Sequence, residues 1–129
     1  MALHFEIASC NGKIIPIKEA VVPVSNLEYA YGFGVYETIR VKQAVPFFID
    51  DHLERLLLSA KKIQLSHQLT KSLLNEYVKE LLTRIKEPAY NLKIMLVGGT
   101  TPETSTLFIQ IRLKRIFTAA QLQYLAVHQ

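Results

Sequence analysis

Val35-Tyr36-Glu37-Thr38-Ile39-Arg40-Val41 opens the most informative run of the chain, followed by Lys42-Gln43-Ala44, Val45-Pro46-Phe47-Phe48-Ile49 and a run from Asp50 to Ile63. Residues 35–41 are rich in β-branched and aromatic side chains and read as a strand. Residues 45–49 read as its hairpin partner, with Pro46 pointing to an edge or a strand start. The period then changes. Leu53, Leu56, Leu57, Ala60 and Ile63 recur at helical spacing, with Asp50 or Asp51 expected as the cap.

Upstream, Asn11-Gly12 between two apolar segments, 4–9 and 13–17, is a strong hairpin signal. Ser25-Asn26-Leu27-Glu28 has capping-box spacing and predicts a short helix through Tyr31, stopped by Gly32 and Gly34. Downstream, Thr70 caps a second helix whose stripe is Leu74, Tyr77, Val78, Leu81, Leu82 and Ile85, closed by Pro88. Residues 91–97 read as a strand buried on both faces. Gly98, Gly99 and Pro102 make a turn, and residues 104–113 alternate as a half-buried antiparallel strand. Residues 116–129 are weakly patterned. Strands, two helices, then strands predict an α+β two-layer sandwich, a mainly antiparallel sheet with two helices packed on one face.

Composition narrows the function classes. The 129 residues suit one domain with a sizeable core. Half are apolar and 20% are charged, which excludes disorder as the main state. That apolar share suggests that some surface is covered by another domain or a second copy. The lone Cys10 allows no internal disulfide and no cysteine-based zinc site, and suits a reducing compartment. No apolar run has membrane-spanning length and the first ten residues do not resemble a signal peptide, so a cytoplasmic protein is expected. The net charge of +4 comes from scattered Lys and Arg without interleaved aromatics, which speaks against nucleic acid. The four histidines show no metal-ligand spacing, and no metal site is expected.

His52, Arg55, Ser59 and Lys62 form a stripe beside the leucine face of the first long helix. It reads either as a solvated face or as an anion site in which an Arg fork meets a phosphate. Periodicity does not decide between them. Gly32-Phe33-Gly34 lacks the third glycine of a dinucleotide loop and reads as a helix stop before a close approach into a strand.

Three segments taken together resemble the class IV aminotransferases. They are Tyr31-Gly32-Phe33-Gly34-Val35-Tyr36-Glu37-Thr38-Ile39-Arg40, then Pro46-Phe47-Phe48, then His52-Leu53-Glu54-Arg55-Leu56 with Ser59-Ala60. These are the fold-type IV pyridoxal-phosphate enzymes, among them branched-chain aminotransferase, D-amino-acid aminotransferase and aminodeoxychorismate lyase. The Asn11-Gly12 hairpin, Val22-Pro23-Val24 and the Gly99-Thr100-Thr101-Pro102 turn are similar too. The resemblance spans the chain but only the family's N-terminal domain, implying a domain over residues 1–115 and an interdomain connection or tail over 116–129.

The resemblance implies pyridoxal phosphate as the full enzyme's cofactor, with Arg55 gripping its phosphate and His52 supporting the site. It implies Tyr36 on the substrate-pocket wall, Tyr31 at the pocket mouth and Glu37 as a supporting acid that positions Tyr36 or the strand. Lys93 falls near a strand arginine of many relatives and would face the substrate. From the residues alone, Tyr36 reads equally as a strand core residue and Lys93 as a snorkelling edge lysine.

The departures are as telling. The family's catalytic lysine, which carries the cofactor, lies downstream in the second domain, and none of the ten lysines here stands in a matching context. No catalytic residue is therefore expected, the chain alone is expected to be inactive, and it need not bind the cofactor by itself. Glu103 and Ser105 follow Pro102, where D-amino-acid aminotransferases carry a basic residue. The expected substrate of the full enzyme is a small molecule, an amino acid or keto acid, with self-association and no nucleic-acid or membrane partner. Pyruvate elimination, as in the lyase, is one alternative. A short, non-catalytic dimerisation module and a generic anion-binding domain are others.

Overall fold

The computed structural model describes residues 6–23, 25–26, 33–99, 101–112, 120 and 123. The chain opens with β1 (Ile7–Cys10) and β2 (Lys13–Pro16). They pair antiparallel, Cys10 opposite Lys13, around Asn11 and Gly12, whose φ values of 52° and 86° suit a hairpin turn in the left-handed region. A Cβ on Gly12 would also collide with the ring of Tyr77. The capped helix expected after Ser25 falls on residues 27–32, outside the described residues.

β3 (Gly34–Lys42) and β4 (Val45–Pro46) form the next hairpin. The predicted partner strand is cut to two residues, because Phe48 adopts φ 56°, ψ 36° and turns the chain into a helix. That helix, α1 (Ile49–Lys62), has Phe48 as its N-cap without a side-chain hydrogen bond. The expectation of an Asp cap is corrected. Asp50 and Asp51 sit inside the first turn, where their charge complements the positive helix end.

The second helix, α2 (Lys71–Leu82), starts where predicted. The Thr70 hydroxyl accepts from the Leu73 amide at 3.1 Å. The helix ends at Leu82, short of the apolar stripe, and Ile85 is buried just beyond it. β5 (Ala89–Val97), a 3-10 turn over Pro102–Thr104 and β6 (Thr106–Arg112) follow, and a further 3-10 turn over Ile17–Glu19 lies after β2.

The six strands lie in the order β2-β1-β6-β5-β3-β4, every pairing antiparallel. Register places Ile39 of β3, Leu92 of β5 and Ile111 of β6 side by side, with Glu37, Ile94 and Ile109 in the next row. The apolar side chains of these rows meet Leu53, Leu56 and Ala60 of α1 and Leu74, Val78 and Leu81 of α2 in one core. Each buried Leu or Ile contributes about 1.5–3 kcal/mol of burial energy. The α+β two-layer sandwich is as the sequence predicts.

One expectation is modified. β5 is not buried on both faces: Tyr90, Leu92, Ile94 and Leu96 are buried, while Asn91, Lys93 and Met95 are half-buried on the face away from the helices. The alternation follows from the polar residues themselves, since Asn and Lys stay where water reaches them.

Candidate functional site

The site is organised by the pleat of β3. Successive residues point to opposite faces of the sheet, so Tyr36 and Glu37 diverge. Glu37 enters the helix-facing side, where its side chain is only 8% exposed. A lone carboxylate there would be costly, and it is answered by two residues one turn apart on α1. Arg55 donates Nε–H to both carboxylate oxygens (3.0 and 2.9 Å) and Nη2–H to Oε1 (2.7 Å). His52 Nδ1 lies 2.7 Å from the same Oε1.

Burial raises the energy of the Glu37 charge, but the hydrogen bonds and charges of Arg55 and His52 outweigh it and hold its pKa below the usual glutamate value. The Glu37 carboxylate in turn raises the Arg55 pKa, so the guanidinium stays charged. The pairing uses Nε and Nη2. The Arg55 side chain as a whole is 65% exposed, which leaves the remaining edge of the fork open to solvent. A planar cation with a fixed plane and free N–H groups suits a phosphate or carboxylate. Glu37 therefore positions Arg55, on the face of the strand opposite Tyr36.

On the other face, Tyr36 is 64% exposed. It is a surface residue there, with Lys93 Nζ 4.9 Å from its ring centroid in a cation–π contact. Lys93 stands opposite Thr38 on β3 and Gln110 on β6. Arg40 lies on the same face, as the 36, 38, 40 alternation implies, and donates from Nη1 to Asn91 Oδ1 at 3.2 Å. Tyr31 lies outside the described residues. The described part of the predicted set thus falls into two groups across one strand: Glu37, His52 and Arg55 on the helix side, Tyr36 and Lys93 on the open side.

Among the described residues, no group of three or more His, Cys, Asp or Glu side chains is placed to hold a metal ion. No helix there is long and apolar enough to cross a membrane.

Comparisons with known proteins agree on one family. The model of amino-transferase class IV matches residues 34–126. The chain is similar to aminodeoxychorismate lyase of Bacillus subtilis (strain 168), 35% identical over 91 residues, covering 69% of this chain and 31% of that protein. It is similar to D-alanine aminotransferase of Bacillus licheniformis, 29% identical over 92 residues, covering 71% and 32%. Among solved structures, the branched-chain amino acid aminotransferase from Thermobaculum terrenum in PLP-form (holo-form) shares the fold. Its TM-score is 0.69 at 21% identity, over 86% of this chain and 41% of that one. The chain spans about a third of the length of the curated relatives it matches.

Proposed function

Since the chain belongs to the class IV aminotransferase family, we propose that it supplies the phosphate contact and one substrate wall of a pyridoxal-phosphate enzyme that transfers an amino group between an amino acid and a keto acid. The observation that carries this is the Arg55 fork, clamped by buried Glu37 and exposed at its other edge. The donor set fits the cofactor: a phosphate dianion needs N–H donors with fixed direction and positive charge, and Arg55 offers both. When bound, the cofactor supplies an electron sink for the bonds at the substrate's amino-bearing carbon.

The residues divide the work. Arg55 binds the phosphate. Glu37 orients it, and His52 buttresses Glu37. Tyr36 walls the substrate pocket, and Lys93 attracts the substrate carboxylate; a role for Tyr31 rests on the resemblance alone. Among the described lysines, Lys93 is on the opposite face of the sheet, and Lys71 is engaged by Glu54 and Asp50 at 2.8 and 3.6 Å. Because none of the ten lysines stands in the family's catalytic context, we read these 129 residues as binding without turnover, with residues 1–115 as the domain and 116–129 leading out of it. Self-association and a cytoplasmic location, suggested by the apolar content and the single free thiol, belong to the same reading. Pyruvate elimination is the second reading, favoured by the likeness to the lyase.

The test is a titration of the purified chain with pyridoxal phosphate, followed by absorbance, for wild type and Arg55→Ala. Saturable binding weakened at least tenfold by the substitution is expected. Equal affinity would remove Arg55 from the site.

A further inference from the structure

Asn11-Gly12 turns the β1–β2 hairpin, and the pair carries a chemistry that the phosphate contact does not use. An asparagine followed by glycine can close on itself. The Gly12 nitrogen attacks Asn11 Cγ, an N–Cγ bond forms, the Cγ–Nδ2 bond breaks, and ammonia leaves with the proton of the Gly12 amide. Water then opens the five-membered imide at either carbonyl, giving aspartate or isoaspartate. Glycine favours the closure because it has no side chain to crowd the attacking nitrogen. Asn11 is exposed, so solvent water is at hand for the second step.

Three features of the fold withhold the first step. The ring contains Gly12 N and the C′, Cα, Cβ and Cγ atoms of Asn11, so closure needs Gly12 N and Cβ on the same side of the Cα–C′ bond. Asn11 has φ 52°, in the left-handed region, where ψ is about +47° and puts the next nitrogen nearly opposite Cβ. The side chain is also tied across the sheet. Asn11 Oδ1 accepts from the Leu107 amide at 2.8 Å, and the Asn11 amide donates to the Leu107 carbonyl at 2.8 Å. Swinging Asn11 into the reactive arrangement breaks this pair of bonds and leaves the Leu107 amide without its acceptor. Finally, a Cβ on Gly12 would collide with the ring of Tyr77 on α2, so the turn has little room to rearrange while it is docked.

We propose that Asn11 is a concealed modification site, gated by the docking of the β1–β2 hairpin on β6 and α2. While the hairpin is docked the residue is inert. When the hairpin opens, deamidation proceeds, and the two products behave differently. Aspartate keeps the chain length and an oxygen that accepts from the Leu107 amide. Isoaspartate routes the main chain through Cβ and Cγ, adding one carbon to a two-residue turn, so Cys10 and Lys13 lose their register. The modification thus records an opening at this edge of the sheet and makes it permanent. The site does not rest on the enzymatic reading.

The test incubates the 129-residue chain in mildly alkaline buffer, folded and in guanidinium chloride. Mass spectrometry of the peptide bearing residue 11 counts deamidation, and an isoaspartyl methyltransferase assay counts isoaspartate. In denaturant, Asn11 should react ahead of Asn26, Asn75 and Asn91, none of which precedes a glycine. In the folded chain Asn11 should react at least about tenfold more slowly, because only the open fraction of the hairpin reacts. Asn11→Asp should keep nearly the wild-type melting temperature, and the separated isoaspartate form should melt lower. A folded rate within about threefold of the denatured rate would overturn the proposal. So would slower reaction of Asn11 than of the other asparagines in denaturant, or equal melting of the isoaspartate form and Asn11→Asp.

Discussion

Replacing Glu37 by Gln isolates the charge that holds Arg55 in place. Gln has the same size, keeps one oxygen acceptor and loses the negative charge. Two effects oppose each other. Burial favours the neutral side chain, while Arg55 and His52 favour the anion. The lowered pKa of Glu37 says that the second wins, so Glu37→Gln should destabilise the fold. Bonds to a charged partner contribute about 1.5–3 kcal/mol when well buried, and the solvent exposure of Arg55 reduces that. We expect a loss of about 1–2 kcal/mol for the Glu37 substitution, or a melting temperature lower by about 3–10 °C at this chain length.

The pH profile gives the sharper reading. The folded pKa lies below the unfolded value of about 4.3. The contribution of Glu37 is therefore complete above the unfolded pKa and disappears as pH falls through the folded one. Urea unfolding of wild type and Glu37→Gln, repeated from about pH 7 down to about pH 3, should show a constant gap that closes only at the acidic end. A gap that is absent at neutral pH, or that persists undiminished at the acidic end, would contradict this account of the ion pair.

Leu92→Ala removes a fully buried side chain between Ile39 and Ile111 and should cost about 2–5 kcal/mol in urea unfolding; a loss below about 1 kcal/mol would mean that the central row repacks freely. Phe48→Gly should stabilise by about 0.5–1 kcal/mol, since Phe48 is 77% exposed and holds a left-handed conformation that glycine adopts without strain. A lower melting temperature in that variant would show that the Phe48 ring contributes more than its backbone costs.

The parts of the fold legible in the sequence are those fixed by local chemistry. Asn11-Gly12 turns because those residues accept positive φ, and Thr70 starts a helix because its hydroxyl reaches the Leu73 amide. The entry into α1 was not legible. Val45 to Ile49 is as apolar as a strand, and the turn at Phe48 is made by the backbone, with no side-chain cap to announce it. On β5, the run of apolar residues hid an alternation that Asn91 and Lys93 already marked. The site was half legible. His52 and Arg55 share a helix stripe that periodicity left open between a solvated face and an anion site, and only likeness to a family singled out Glu37 and decided for the site. Alternation along β3 puts Glu37 on the core face, and a carboxylate there requires a partner, but its identity depends on how α1 packs across the sheet.

β3 has the geometry of a partition wall one residue thick. Tyr36 and Glu37 are joined by a single peptide bond, yet one looks onto the open face and the other anchors Arg55 beneath the helices. Gly34 at the head of the strand comes so close to the Leu96 carbonyl that a Cβ would meet it at 2.8 Å, which pins the register against β5. Inserting or deleting one residue between Gly34 and Glu37 would exchange the two rooms, sending the aromatic ring into the core and the carboxylate into solvent. The length of the segment 34–37 is therefore fixed by the pleat, and the two halves of the candidate site are tied to each other through it.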